Sequence, residues 1–177
     1  VGFQALTTQN FTTATDTFNV GVGYNAGVAV TTGVRNTLIG GLAGDSLTEG
    51  DDNIALGYNA LSTEDTGSKS IAIGFEALKT QNNAASNYNV AVGHAAGTAV
   101  TTGILNTLIG GLAGDAMTDA DENVAVGYNA LTANLKGNRT VAIGNGALMA
   151  QTFSSITDSY NTAVGHFAGG SVTTGIR

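Results

Sequence analysis

The chain contains no cysteine and no tryptophan, and it is poor in charge of either sign and in aromatic rings. Without cysteine there is no disulfide and no thiolate metal ligand, which fits an extracellular β protein. Aromatic residues make up 6% of the 177 positions, too few for a conventional globular core of this length. Charged residues make up 11%, about half the ordinary share. The chain is nonetheless rich in β-branched residues, so the charge-rich composition of disorder is absent as well. Net charge is −7, with a sequence pI near 4.4. That balance excludes the basic footprint of a nucleic-acid binder and disfavours docking on anionic lipid. No apolar run approaches the ~20 residues of a membrane span, so no membrane insertion is expected in this segment.

Gly, Thr, Asn and Ala fill the space that large residues leave, and they do so periodically. The glycine of "NVAVGYNAL" (Gly127) recurs at Gly2, Gly23, Gly40, Gly57, Gly74, Gly93, Gly110, Gly144 and Gly165. The intervals are 17 residues, lengthened to 19 once and to 21 twice. A four-unit super-repeat lies on top: residues 19–68 match residues 89–138 at 31 of 50 positions. The blocks run about 19–88 and 89–160, so residues 1–177 form one repeat array with no room for a second domain. Both ends, "VGFQAL" and "SVTTGIR", read as cut from inside the pattern. The chain is therefore expected to be a segment of a longer fibre.

Each column of the repeat has a physical reading. Val, Ile or Leu precedes the glycine, a β-branched residue stands two positions before that, and the residue between is mostly small. Alternation of this kind predicts a short strand with one bulky face and one face of close approach. The third residue after the glycine is alanine in every unit, including Ala26, Ala43, Ala60, Ala77, Ala96, Ala113, Ala130, Ala147 and Ala168. Such uniformity implies a tight fixed space where chain meets chain. The next position alternates between Gly and Leu. An Asn usually opens the unit, where it can bond its own backbone and stack into a ladder. The polar stretches between motifs, such as "VAVTTGVR", predict a second short strand and a turn. The pattern specifies an all-β parallel solenoid of about ten coils, on the order of 45 Å long. A core this thin is expected to need several chains around an axis, in contact through the small-residue face.

The units "NVAVGYNAL", "SIAIGFEAL" and "NTAVGHFAG" resemble the head repeats of YadA-like trimeric autotransporter adhesins and repeats of the same type in phage tail fibres. The resemblance covers essentially the whole chain. It implies a left-handed β-roll, an intertwined or side-by-side homotrimer, and an extracellular place on a cell or virion surface. The expected function is then the structural and adhesive shaft or head of a surface fibre that attaches to a host. Its partners would be its own copies and a host-surface glycan or protein receptor. The alternative is an extracellular filament subunit that binds no specific receptor.

Candidate chemistry is sparse. "GVGYNAG" at 21–27 looks like a phosphate loop, but ten copies without a helix argue for turn glycines. His94 and His166 follow the motif glycine in one unit type and read as surface or interface positions. Two acidic loops hold oxygen ligands at repeated offsets: Asp45, Glu49, Asp51 and Asp52, then Asp115, Asp119, Asp121 and Glu122. They are Ca²⁺ candidates, although the spacing of a calcium hand is missing and solvated turn carboxylates are the default. Thr31–Thr32, Thr101–Thr102 and Thr173–Thr174 occur once in four coils, too rarely for an ice-binding array. Tyr24, Tyr58 and Tyr128 offer rings for sugar stacking or, equally, for core or groove packing. No catalytic carboxylate pair or triad stands out, and no enzyme activity or cofactor is expected.

Overall fold

The computed structural model describes residues 1–176; Arg177, the last residue of the array, lies outside them. Among the described residues there is no helix. Nine coils, against the ten units in the sequence, each contribute one three-residue strand: β1 (Val20–Val22), β2 (Thr37–Ile39), β3 (Ile54–Leu56), β4 (Ile71–Ile73), β5 (Val90–Val92), β6 (Thr107–Ile109), β7 (Val124–Val126), β9 (Val141–Ile143) and β11 (Thr162–Val164). These nine pair in chain order into one parallel sheet, the expected solenoid. Register follows the repeat, with Val20 opposite Thr37 and Thr37 opposite Ile54. The longer coils keep it too, since Ile71 meets Val90 and Val141 meets Thr162. The added residues are taken up on the far side of the coil.

The expected second strand is mostly missing. Among the described residues only β8 (Gly137–Asn138) pairs with β10 (Thr157–Asp158), and Ser68 bridges Ser86. The rest of that side is turn, because the chain there bends too often for extended backbone. In each coil three corners lie in the left-handed region. One falls on the residue before the opening position, as at Arg35 (φ 59), Lys69 (φ 65) and Tyr88 (φ 52). The others fall two and four residues after the motif glycine, as at Leu42 (φ 58) and Leu61 (φ 53). Most of these are not glycine, so the stacking must offset a strain that isolated residues rarely accept.

The motif glycine has a different cause. Gly127 has φ +134, and a Cβ there would lie 2.5 Å from the carbonyl oxygen of Gly144. Consecutive motif glycines therefore stack backbone on backbone at the corner where each strand ends.

The strand faces are arranged differently from the sequence expectation. The small central residues Ala55, Ala72, Ala91, Ala125 and Ala142 point into the coil and are fully buried. The alanine column joins them, with Ala26 through Ala147 fully buried in the same core. Both small columns are thus used inside one chain and are not available to a partner. The coil is so narrow that its two walls leave space for little more than methyl groups. Larger residues enter at a few positions, Val30, Leu47, Val100 and Met117 among them. Leu38 and Leu108 come from the strand side, while Leu61, Leu78, Leu131 and Leu148 come from the corner position where Gly alternates with Leu. The bulky strand residues face outward.

Candidate functional site

No pocket opens among the described residues. What the fold supplies instead is a set of ladders, because identical offsets place residues one above another at each coil.

The innermost ladder is asparagine, as expected. The side-chain oxygen of Asn36 accepts from the backbone N–H of Asn53 at 2.9 Å, and its amide donates to Gly50 O at 2.8 Å. Asn53 repeats both bonds to Ser70 N and Gly67 O. The side-chain oxygens of Asn89, Asn106 and Asn123 likewise accept from the next coil in their block. Each buried amide thereby satisfies a backbone group of the coil that follows.

Where the longer coils interrupt this ladder, a buried polar network takes over. Glu64 is fully buried. Its carboxylate accepts from Gly67 N (2.8 Å), Gln81 Nε2 (2.8 Å) and Asn87 Nδ2 (3.0 Å). Gln81 also reaches Ser70 and Asn89. In the second block Asn134 stands at the matching offset, and Gln151 bonds Thr140 and Asn161. Sequence reading passed over Glu64. Its signal is an acidic residue in the column that holds Asn one block later.

The acidic loop residues are dispersed among backbone and cation partners. Asp51 accepts from Val34 N, and Asp121 accepts from Ile104 N, each at 2.8 Å. Asp52 pairs with Arg35 at 2.5 Å, and that hydrogen bond holds its carboxyl below the usual range. Asp119 meets Lys136 at 3.0 Å and is lowered likewise. Glu122 pairs with Arg139, which also contacts Asp158. Asp115 accepts from Thr132. Burial pushes Asp121 up, and it pushes up Asp45, whose Oδ1 is buried without a hydrogen-bond partner. Glu49 is exposed. No group of three or more His, Asp or Glu side chains converges on a cation position among the described residues. His94 and His166 are both exposed, one in each of two coils.

The outer ladders carry the remaining side chains. One runs through the corner before Asn, where Lys69 lies 5.0 Å from the Tyr88 ring and Arg139 lies 5.8 Å from the Tyr160 ring. The other runs through the position just after the motif glycine. Phe3 stacks on Tyr24 at 5.6 Å, Tyr58 on Phe75 at 5.7 Å, and Phe75 on His94 at 5.0 Å. The planes lie within 8°, 18° and 11° of parallel. Backbone bonds fix the rungs, since Leu42 N donates to Tyr24 O and Asn59 N to Gly41 O.

The outer face of the sheet is apolar. Two columns of Val, Ile, Leu and Thr run along the nine strands, with Val20 45%, Leu56 41% and Ile109 39% exposed. No family model, curated protein or solved structure matches the chain.

Proposed function

We propose that the chain is the shaft or head of a homotrimeric extracellular fibre, on a cell or virion surface, that holds and presents contacts to a host. The observation that carries this reading is the uncovered outer face of a parallel sheet. Parallel sheets are ordinarily covered on both faces. Here the interior covers one face, while the other carries Val, Ile, Leu and Thr side chains that are exposed or half-buried along the nine strands. A stripe of that kind marks a protein–protein contact, and another copy of the chain presents the matching rung spacing. The likeness of the repeats to YadA-like heads and tail fibres is what favours three copies. Repeated weak contacts on a rigid rod suit adhesion by avidity.

Sedimentation velocity of the whole chain tests this, with a trimer expected. Leu56→Glu combined with Ile109→Glu places charge on the stripe and should release monomers that keep the β circular-dichroism signal. A monomeric parent chain would overturn the reading.

A further inference from the structure

Most motif and core glycines are required by the backbone. Gly41 and Gly111 are not. Neither has a positive φ, and a Cβ on either meets nothing closer than a tyrosine ring, Tyr58 or Tyr128, at 3.4 Å. Any side chain would fit the backbone there. Yet both sit in a column that holds a ring at seven of its ten rungs and Asn145 at one other, and they are 70 residues apart, one per block. Each is a rung without a ring.

The empty rung has a definite size. Neighbouring rings in the column are 5.0–5.7 Å apart. Tyr24 and Tyr58 flank Gly41 from two rungs apart, so roughly 10 Å separates them. One further flat ring, stacked at about 4.5–5 Å from each neighbour, fills that interval. Both tyrosines are about half exposed, at 57% and 49%, so the notch is open to solvent from the side. His94 and Tyr128 flank Gly111 in the same way. The gap is apolar on its two ring faces and wet along its outer edge. That combination fits a pyranose, which presents C–H groups on its faces and hydroxyls around its rim. A purely apolar ring would leave the wet edge unused.

We propose that Gly41 and Gly111 are notches in which a pyranose residue of a glycan completes the aromatic stack. The two notches lie four coils apart, roughly 19 Å along the rod. This deepens the fibre reading by naming the ligand class, and it rests on that reading only for multivalency.

The test uses the whole chain and a panel of hexasaccharides: cellohexaose, chitohexaose and maltohexaose. Binding is followed by calorimetry and by saturation-transfer NMR with detection on the sugar ring protons. At least one saccharide is expected to bind. Gly41→Phe combined with Gly111→Phe fills both rungs and should weaken that binding about tenfold or more, with the melting temperature unchanged or raised. Tyr58→Ala should weaken it as well. Absence of binding by all three saccharides overturns the proposal, as does unchanged affinity in the double phenylalanine variant. Sedimentation of the same samples separates the two readings. A trimer that binds no saccharide overturns the notches alone, and a monomer that binds one overturns the trimer alone.

Discussion

Leu38 and Gly44 occupy one space: a Cβ on Gly44 would lie 2.8 Å from Leu38 Cδ2. In the next coil the assignment is reversed, with Ala55 at the strand centre and Leu61 at the corner, both fully buried. Each pair thus supplies one leucine and one small residue. Gly44→Leu alone should destabilise by about 1–3 kcal/mol through overpacking. Leu38→Ala alone should cost about 2–5 kcal/mol through the cavity it leaves. Together they recreate the arrangement of Ala55 and Leu61, so the double variant should lose clearly less than the sum. Urea denaturation of all four proteins measures the coupling, and additive losses would refute the shared space.

Gly127→Val should prevent folding of its coil, with a loss above about 4 kcal/mol. A β-branched residue would have to accept φ +134 and approach the Gly144 carbonyl oxygen at 2.5 Å. Loss of the circular-dichroism transition checks this. A variant that melts with the parent would show that the corner tolerates a side chain.

Asn106→Ala should cost about 2–4 kcal/mol, because it strands the buried N–H of Asn123 and the carbonyl of Ala120. Asn19→Ala, in a partly exposed rung near the chain's start, should cost less. Thermal melts of the two variants give the order, and an equal cost would argue against burial as the cause.

Glu64→Leu should destabilise by at least about 2 kcal/mol, since it leaves Gly67 N–H and the amides of Gln81 and Asn87 without their acceptor. Glu64→Gln removes less, but it sets an amide donor against other donors and should fall between the leucine variant and the parent. Denaturation midpoints test the ranking.

The dependence on pH follows from two aspartates of opposite sign. Asp45 is raised by burial, so its contribution to stability is present below its unfolded pKa and lost as pH rises through the folded one. Asp45→Asn should therefore gain stability relative to the parent between acid and neutral pH. Asp119 is lowered by its bond to Lys136, so its contribution is present above the unfolded pKa and lost as pH falls through the folded one. Asp119→Asn should lose ground over the same rise in pH. Paired melting curves at about pH 3 and pH 7 read both signs.

The solenoid, its register and the asparagine ladder were legible because each rests on a residue type with one dominant constraint. Gly127 is such a residue, and Asn106 is another. The direction of the strand faces was less legible. A Val–Ala–Val triplet alternates equally well with either side inward, and only the narrowness of the coil decides that Ala125 goes in. The second strand was expected from β-branched residues such as Thr31 and Val34, which the coil instead uses near turns. The left-handed corners were legible only in part: Asn25, Asn59 and Gly44 are residues that accept such a corner, whereas Arg35, Leu61 and Tyr88 are not turn formers, and there the neighbouring coils impose the conformation. The vacant rungs needed the structure as well, because Gly41 looks like any other glycine until its surroundings are seen.

Parallel register also has a mechanical consequence. Every coil bonds only to the coil before and the coil after, and those bonds run along the length of the rod. Load applied between the ends passes through one such contact after another. A coil held by a single neighbour peels first and releases about 55–60 Å of extended chain while the coils beyond it stay closed. A tether of this design lengthens in steps under force and dissipates the pull one coil at a time, so a sudden tug is absorbed before the whole rod unravels.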